Sequence, residues 1–500
     1  MYGLTSEEID KINEIFSCHM EIDKAVLYGS RAKGNYQDSS DIDLTLFGDK
    51  TTLTRLFEIE NQLDDLLLPY KIDLSLHQKI ENPDLIEHIN RVGIVFYEKE
   101  KDVWKESVLG EFIDLISGYA FKSLDFQNIP TQNALPVIKI KNVANGDVNL
   151  NSVVYHNYSN SWEKFRLSKG DVLIAMTGNH PSAMTQVVGD VSKYKLEVYA
   201  LLNQRVGKIL ARDNANLDFI YYLLKNDDVR NYLANKSSGS ANQANISKGD
   251  ILGLSLAIPS LRTQTAIASI LSSLDDKIDL LHRQNATLEK MAETLFRQWF
   301  VEEAKEEWEV CKIGDFVLTN ANTINKDYAY SEIQYLDTSS LNEGLITNLQ
   351  LLNLREAPSR AKRLIKNNDI LLSTVRPDQL HYGIIKEPPE NLVVSTGFCV
   401  ITCYKISPHF IYILLTNDEM TEFLHSIAEG STSTYPSLKP SDVEKIEFKL
   451  PPTQILEKFE ETTSQFFEKI KTNQNQILTL TALRDNLLPK LMSGEVKVSP

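Results

Sequence analysis

The sequence predicts an α+β multidomain chain. A small α/β domain comes first, followed by two mixed α/β domains alternating with two long helices that pair as an antiparallel coiled coil. Three observations carry this reading. Most of the chain is written twice, two stretches keep an apolar heptad over about 40 residues, and the first hundred residues stand outside the repeat.

The repeat opens on Trp104, Leu109, Gly110, Glu111 and Phe112, which return as Trp308, Ile313, Gly314, Asp315 and Phe316. Phe219-Ile220-Tyr221 returns as Phe410-Ile411-Tyr412, and Pro259 as Pro451. The offsets are 204, 191 and 192 residues. Solenoid repeats are about 20–50 residues long, so the duplicated unit is a domain plus a helix. The boundaries read from these marks are 1–100, 101–262, 263–304, 305–452 and 453–500.

Inside the first copy, short apolar runs at 135–140, 170–175 and 206–210 alternate with Asn, Gly and Ser clusters, with one or two helices over 217–233. Arg166-Leu167 and Gly170-Asp171-Val172-Leu173 are answered by Arg363-Leu364 and Asn368-Asp369-Ile370-Leu371, so the frames match. The polar loops beside them differ. In the first copy they offer Thr177, Asn179, His180, Arg205, Ser240, Asn242 and Gln243. In the second they offer Ser373, Thr374, Arg376, Ser431, Thr432, Ser433 and Tyr435. These residue types bond to base edges, and two different readers on one frame would vary in this way.

After each domain the apolar residues step by four and three. The first seam is Ile267, Leu271, Leu274, Ile278, Leu281, Asn285, Leu288, Ala292, Leu295 and Trp299. The second is Phe459, Thr463, Phe466, Ile470, Asn473, Ile477, Leu480, Arg484, Leu487 and Leu491. This is a coiled-coil pattern, and the internal repeat favours pairing within the chain. Asn285 and Asn473 read as register-setting residues at different heptad levels. About 40 residues at about 1.5 Å each make a rod of about 60 Å, nearly two turns of B-DNA at about 34 Å.

The net charge of −16 is unevenly placed. Residues 1–100 hold 10 Lys/Arg against 20 Asp/Glu, whereas residues 103–262 hold 17 against 14. Local basic loops are therefore available for DNA. Four cysteines fit a reducing compartment, with Cys399 and Cys403 read as buried thiols and not zinc ligands. No apolar run reaches membrane-spanning length and the start is acidic, which points to a cytoplasmic protein without a membrane partner.

In the front domain, residues 26–28 read as a strand and Gly29-Ser30 as a turn. Asp41 and Asp43 lie on one face of a second strand and Asp73 on a third. Carboxylates gathered on neighbouring strands repel unless a cation lies between them, and the Gly-Ser turn brings backbone N–H groups toward phosphates. The stretches GSRAKGNYQDSSDIDL and KIDL resemble the minimal nucleotidyltransferase family of the polymerase-β-like superfamily, antitoxin type, over residues 5–99. The resemblance implies that Asp41, Asp43 and Asp73 are catalytic and hold Mg2+, with Asp73 also activating the attacking hydroxyl. It implies that Gly29, Ser30 and Arg31 bind an NTP, most often ATP, in a nucleotidyl transfer that releases pyrophosphate. The other reading is a degenerate domain kept for docking. Arg376 to His381 also spells the R-x4-H of ribonuclease toxins that accompany this family, but Pro377 breaks the helix that motif needs.

From residue 101 to 500 the chain resembles the specificity subunit of a type I restriction-modification enzyme. The resemblance rests on the Trp104 and Trp308 openings, the Gly118-Tyr119-Ala120-Phe121-Lys122-Ser123 stretch, Pro259, Pro451 and the ending at 483–491. It implies two target recognition domains, each reading half of a bipartite, asymmetric site in double-stranded DNA. It also implies helices that dock two methyltransferase subunits using S-adenosylmethionine, and motor-nuclease subunits using ATP. The front domain departs from that pattern. The contrasting readings are a nucleotidyl (adenylyl) transferase whose repeats are target-binding adaptors, and a scaffold without activity.

Overall fold

The computed structural model describes residues 2–19, 21–37, 39–99, 104–144, 146–179, 188–236, 238–240, 243–430 and 436–498. Two units emerge, one of Met1–Ser272 with Asn486–Pro500 and one of Ser273–Asp485.

In the first unit, Thr5 and Glu8 form a capping box that starts α1 (Ser6–Cys18). β1 (Lys24–Tyr28) runs straight into α2 (Gly29–Lys33), so the expected Gly-Ser turn is the first turn of a short helix. β2 (Ile42–Phe47), α3 (Leu53–Asp64), β3 (Ile72–Leu76), α4 (Pro83–Val92) and β4 (Ile94–Glu98) follow. The sheet order is β3-β2-β1-β4. β2 and β3 are parallel and the other pairs antiparallel. Ile42, Leu44 and Leu46 alternate inward with period two. They bury themselves with Ile12, Phe16, Leu56, Ile59 and Leu63 of the helices.

The duplication holds in the central strands of both sheets. In the first copy Ile113–Ser117, Val206–Ala211, Val172–Ala175 and Val191–Lys193 lie side by side. In the second the order is Val317–Thr319, Phe398–Cys403, Ile370–Ser373 and Tyr382–Ile384. A second sheet runs Val154–Asn157, Ala134–Ile138, Ala200–Leu202, Arg166–Leu167 in one copy. Its counterpart is Gln350–Asn353, Glu332–Leu336, Leu392–Ser395, Ala361–Leu364. Both keep a parallel central pair between antiparallel neighbours. The helix pairs also match: Leu217–Lys225 with Asp227–Asn235, and Pro408–Thr416 with Asp418–Glu429. At each junction an asparagine, Asn226 or Asn417, ends one helix and caps the next. Phe219, Ile220, Phe410 and Ile411 are all but fully buried, each stabilising its domain by about 1.5–3 kcal/mol.

The long helices span Leu261–Arg297, extended by a π turn over Gln298–Glu302, and Thr453–Met492. Within the first unit Ile267, Ala268 and Leu271 pack with Leu487, Leu488, Leu491 and Met492. Within the second, Ile278 and Leu281 meet Ile477 and Leu480, and the Phe296 and Phe459 rings lie 6.2 Å apart. Rising numbers on one helix meet falling numbers on the other, so the pairing is antiparallel. That direction corrects one expectation: Asn285 and Asn473 share a level and bond to each other. Heptads counted from opposite ends coincide there. Phe296 and Phe467 are buried in addition to the expected seam. No described helix is long and apolar enough to cross a membrane.

Candidate functional site

Strand register assembles the front site. β2 sets Asp43 directly beside Asp73 of β3, and on its other side Tyr28 of β1. Gly29 follows Tyr28 at φ +75°, and a Cβ there would come within 2.1 Å of the Asp43 Oδ2. Glycine alone satisfies both the left-handed backbone and the close approach. Burial pushes the Asp43 carboxyl above its usual range. The charges of Asp73 and Asp41 push it further, while Lys71 pulls it back. Lys71 pairs with Asp73. Burial likewise raises the Tyr28 phenol, with a hydrogen bond from Ser75 opposing and Asp43 and Asp73 adding to the rise. Ser30 is half-buried in the first turn of α2.

The geometry bears on two expectations for this site. Asp41 is exposed and precedes β2, and among the described residues no three His, Cys, Asp or Glu side chains stand together to hold a metal ion. Asp41 stands just ahead of the strand, close enough for its charge to act on Asp43, and Asp73 faces Lys71. The Asp43–Asp73 pair does fit a hard divalent cation, which needs only one or two carboxylates when phosphate and water complete its shell. Arg31, expected at the phosphates, is 2% exposed. Its Nε donates to the carbonyls of Ser40 (3.0 Å) and Asp41 (3.2 Å), Nη2 to Ser40 (2.7 Å) and Nη1 to Tyr2 (2.9 Å). It also stacks on Tyr70 and Tyr36. Arg31 clamps the backbone leading into Asp41. The Tyr28 and Lys71 contributions were missed in the sequence; the two-residue spacing of Lys71 and Asp73 was the available signal.

In the repeats, the loops expected to read DNA converge on one edge of each domain. The Met176 N–H donates to the Arg205 carbonyl (2.8 Å), and the Ile246 N–H to the Met176 carbonyl (3.0 Å). In the second copy the Thr374 N–H donates to Gly397 (2.8 Å) and the Leu438 N–H to Thr374 (2.8 Å). Thr177–Gly178 pairs with Gln243–Asn245, which pairs with Ser238–Ser240. Among the described residues the second copy keeps one bridge there, Val375 to Ser437.

The edges sort the candidates. Thr177 is buried and its Oγ1 donates to Asn245 Oδ1 (2.7 Å); Ser373 is buried and donates to the Val375 carbonyl (2.8 Å). Thr374, half-buried, donates to the Gly397 carbonyl (2.8 Å). These three hydroxyls, expected at base edges, each donate to an acceptor inside the domain. Asn179 is half-buried, whereas Arg205 and Arg376 are exposed. His180, Asn242, Ser431, Thr432, Ser433 and Tyr435 lie outside the described residues, as do the side chains of Ser240 and Gln243.

Residues 101–290 and 305–482 match the family described as type I restriction modification DNA specificity domain. The chain belongs to that family. Residues 10–102 of this specificity subunit match the polymerase beta nucleotidyltransferase family. It is 29% identical over 320 residues to the type I restriction enzyme MjaIX specificity subunit of Methanocaldococcus jannaschii, covering 59% of this chain and 73% of that one. It is 25% identical over 480 residues to the HindI specificity subunit of Haemophilus influenzae, covering 79% and 99%. Among solved structures, the S subunit of a type I restriction-modification system from M. genitalium aligns with 79% of this chain and 97% of its own. The TM-score is 0.50 at 16% identity, a likeness of fold. The specificity subunit therefore carries DNA recognition in its repeats, and its appended front domain belongs to a family working with nucleotide and metal.

Proposed function

We propose that the two repeated domains, over 101–262 and 305–452, each read one half of a bipartite, asymmetric site in double-stranded DNA. The helix pair sets the spacer and docks two methyltransferase subunits that bring S-adenosylmethionine, and motor-nuclease subunits complete a cytoplasmic restriction complex. The observation that carries this is the pair of frames matched bond for bond around Met176 and Thr374 but bearing different side chains at the edge. Equal frames account for a common docking mode, and unequal edges for an asymmetric target. DNA selected from a random pool by the chain with its methyltransferase partner should show two short fixed clusters separated by a constant gap. A single continuous cluster would overturn the reading.

The front domain, in this reading, transfers a nucleotidyl group from ATP. Mg2+, when bound, neutralises the phosphates as pyrophosphate leaves. Asp43, helped by Asp41, holds the metal side of the cleft, and Asp73 accepts the proton of the acceptor hydroxyl. The hydroxyl oxygen bonds the α-phosphorus while the bond to pyrophosphate breaks. Gly29 and Ser30 line the phosphates, and Arg31 keeps the Ser40–Asp41 backbone in place. Label from α-labelled ATP should appear on an acceptor and vanish in Asp43→Asn and Asp73→Asn. Its absence from the parent chain across several NTPs would leave a docking domain.

A further inference from the structure

We propose that Arg205 and Arg376 are the specificity-determining residues of their two domains, each reading a guanine in the major groove of its half-site. The proposal rests on the reading of these domains as DNA readers and names what they read.

Among the described candidates these two side chains alone combine exposure with long reach and charge. Both sit in left-handed backbone, Arg205 at φ 71° and Arg376 at φ 50°. Side chains other than glycine, asparagine and aspartate rarely adopt this conformation, and such strain gathers at functional positions.

The strand registers supply an independent observation. Val172 pairs with Ile209 in the first copy as Ile370 pairs with Ile401 in the second. Counting from these pairs, Arg205 corresponds to Gly397, and Arg376 corresponds to Gly178. The bond from Met176 to Arg205 and the bond from Thr374 to Gly397 confirm the first equivalence. Each copy thus carries one arginine and one glycine at the same two positions of the same edge, in opposite order. The frame does not require arginine at the first place, since Gly397 closes the same backbone bond in the sister copy; at the second, Gly178 pairs with Ala244 where Arg376 donates to the Pro436 carbonyl. What arginine adds is a planar fork matching O6 and N7 of guanine. Because the arginine occupies a different one of these two positions in each copy, each domain addresses a different position relative to its frame. The two half-sites then differ even though the folds match.

The test uses the full chain assembled with its methyltransferase partner, read by selection from randomised DNA. Arg205→Gly should lose about 10- to 100-fold discrimination at one G·C pair of one half-site, leaving the other half intact. Arg376→Gly should do the reverse. Arg205→Lys and Arg376→Lys should keep overall affinity but lose the same discrimination. Melting temperature should hold or rise in the glycine variants, because glycine relieves the left-handed strain. Unchanged discrimination in a complex whose parent shows two half-sites would overturn this proposal alone. Loss at both halves together, or a fall in melting temperature accompanying the loss, would also overturn it by assigning the arginines a structural role. A parent complex with no sequence preference would overturn the underlying reading with it.

Discussion

Asn473 donates through Nδ2 to the Asn285 Oδ1 at 2.8 Å, inside the buried seam of the helix pair. Polar pairs at such positions fix register at a cost in stability. Asn473→Leu leaves the buried Asn285 Oδ1 without its donor and should lower stability by about 1–3 kcal/mol in urea unfolding. Replacing both asparagines with leucine should recover that loss. Equal stabilities for the single and double variants would show that the pair does not act as one unit.

Gly29→Ala sets a methyl group against Asp43 in left-handed backbone. The backbone alone costs about 1–2 kcal/mol, and displacing the carboxylate by about 1 Å should slow nucleotidyl transfer by about 100-fold. Steady-state rates with labelled ATP check this, with Gly34→Ala as a control. Gly34 also has positive φ, but a Cβ there meets nothing within 4 Å.

Glu289, on the first long helix, has its carboxyl pushed up to about 7, first by burial and then by Glu293 and Glu343. The unfolded chain holds an ordinary carboxylate near 4.5, so between these values the folded state binds a proton that the unfolded state does not. The resulting stability is fully present below about pH 4.5 and is lost as the pH rises through 7, about 3 kcal/mol in all. Glu289→Gln should therefore melt above the parent at pH 8 and converge with it near pH 4.5. Parallel curves at both pH values would contradict the assignment.

Arg31→Met removes a buried fork and leaves the Ser40, Asp41 and Tyr2 carbonyls short of a donor. A loss of about 3 kcal/mol or more is expected by thermal unfolding. A loss confined to ATP affinity would return Arg31 to the phosphate role read from the sequence.

The features legible in the sequence were those fixed by spacing along the chain. The heptads of 267–299 and 459–491, the repeat marked by Trp104 and Trp308, and the alternating Asp43 strand depend on local period, and the fold repeats them. The features that were not legible depend on distant partners. Arg31 turns inward because carbonyls 9, 10 and 29 residues away converge on it. Asn285 and Asn473 meet because the helices run in opposite directions, which a heptad count along one helix does not reveal. Thr177 and Ser373 looked like loop hydroxyls, but strand pairing decided that they face acceptors inside the domain.

The central claim is that each repeated domain reads its own half of the DNA target. The most direct test replaces residues 103–262 with the corresponding segment of a relative and maps the sequence methylated by the assembled complex. The account predicts that one half-site changes to the relative's while the other half and the gap stay as they were. An unchanged methylated sequence would contradict it.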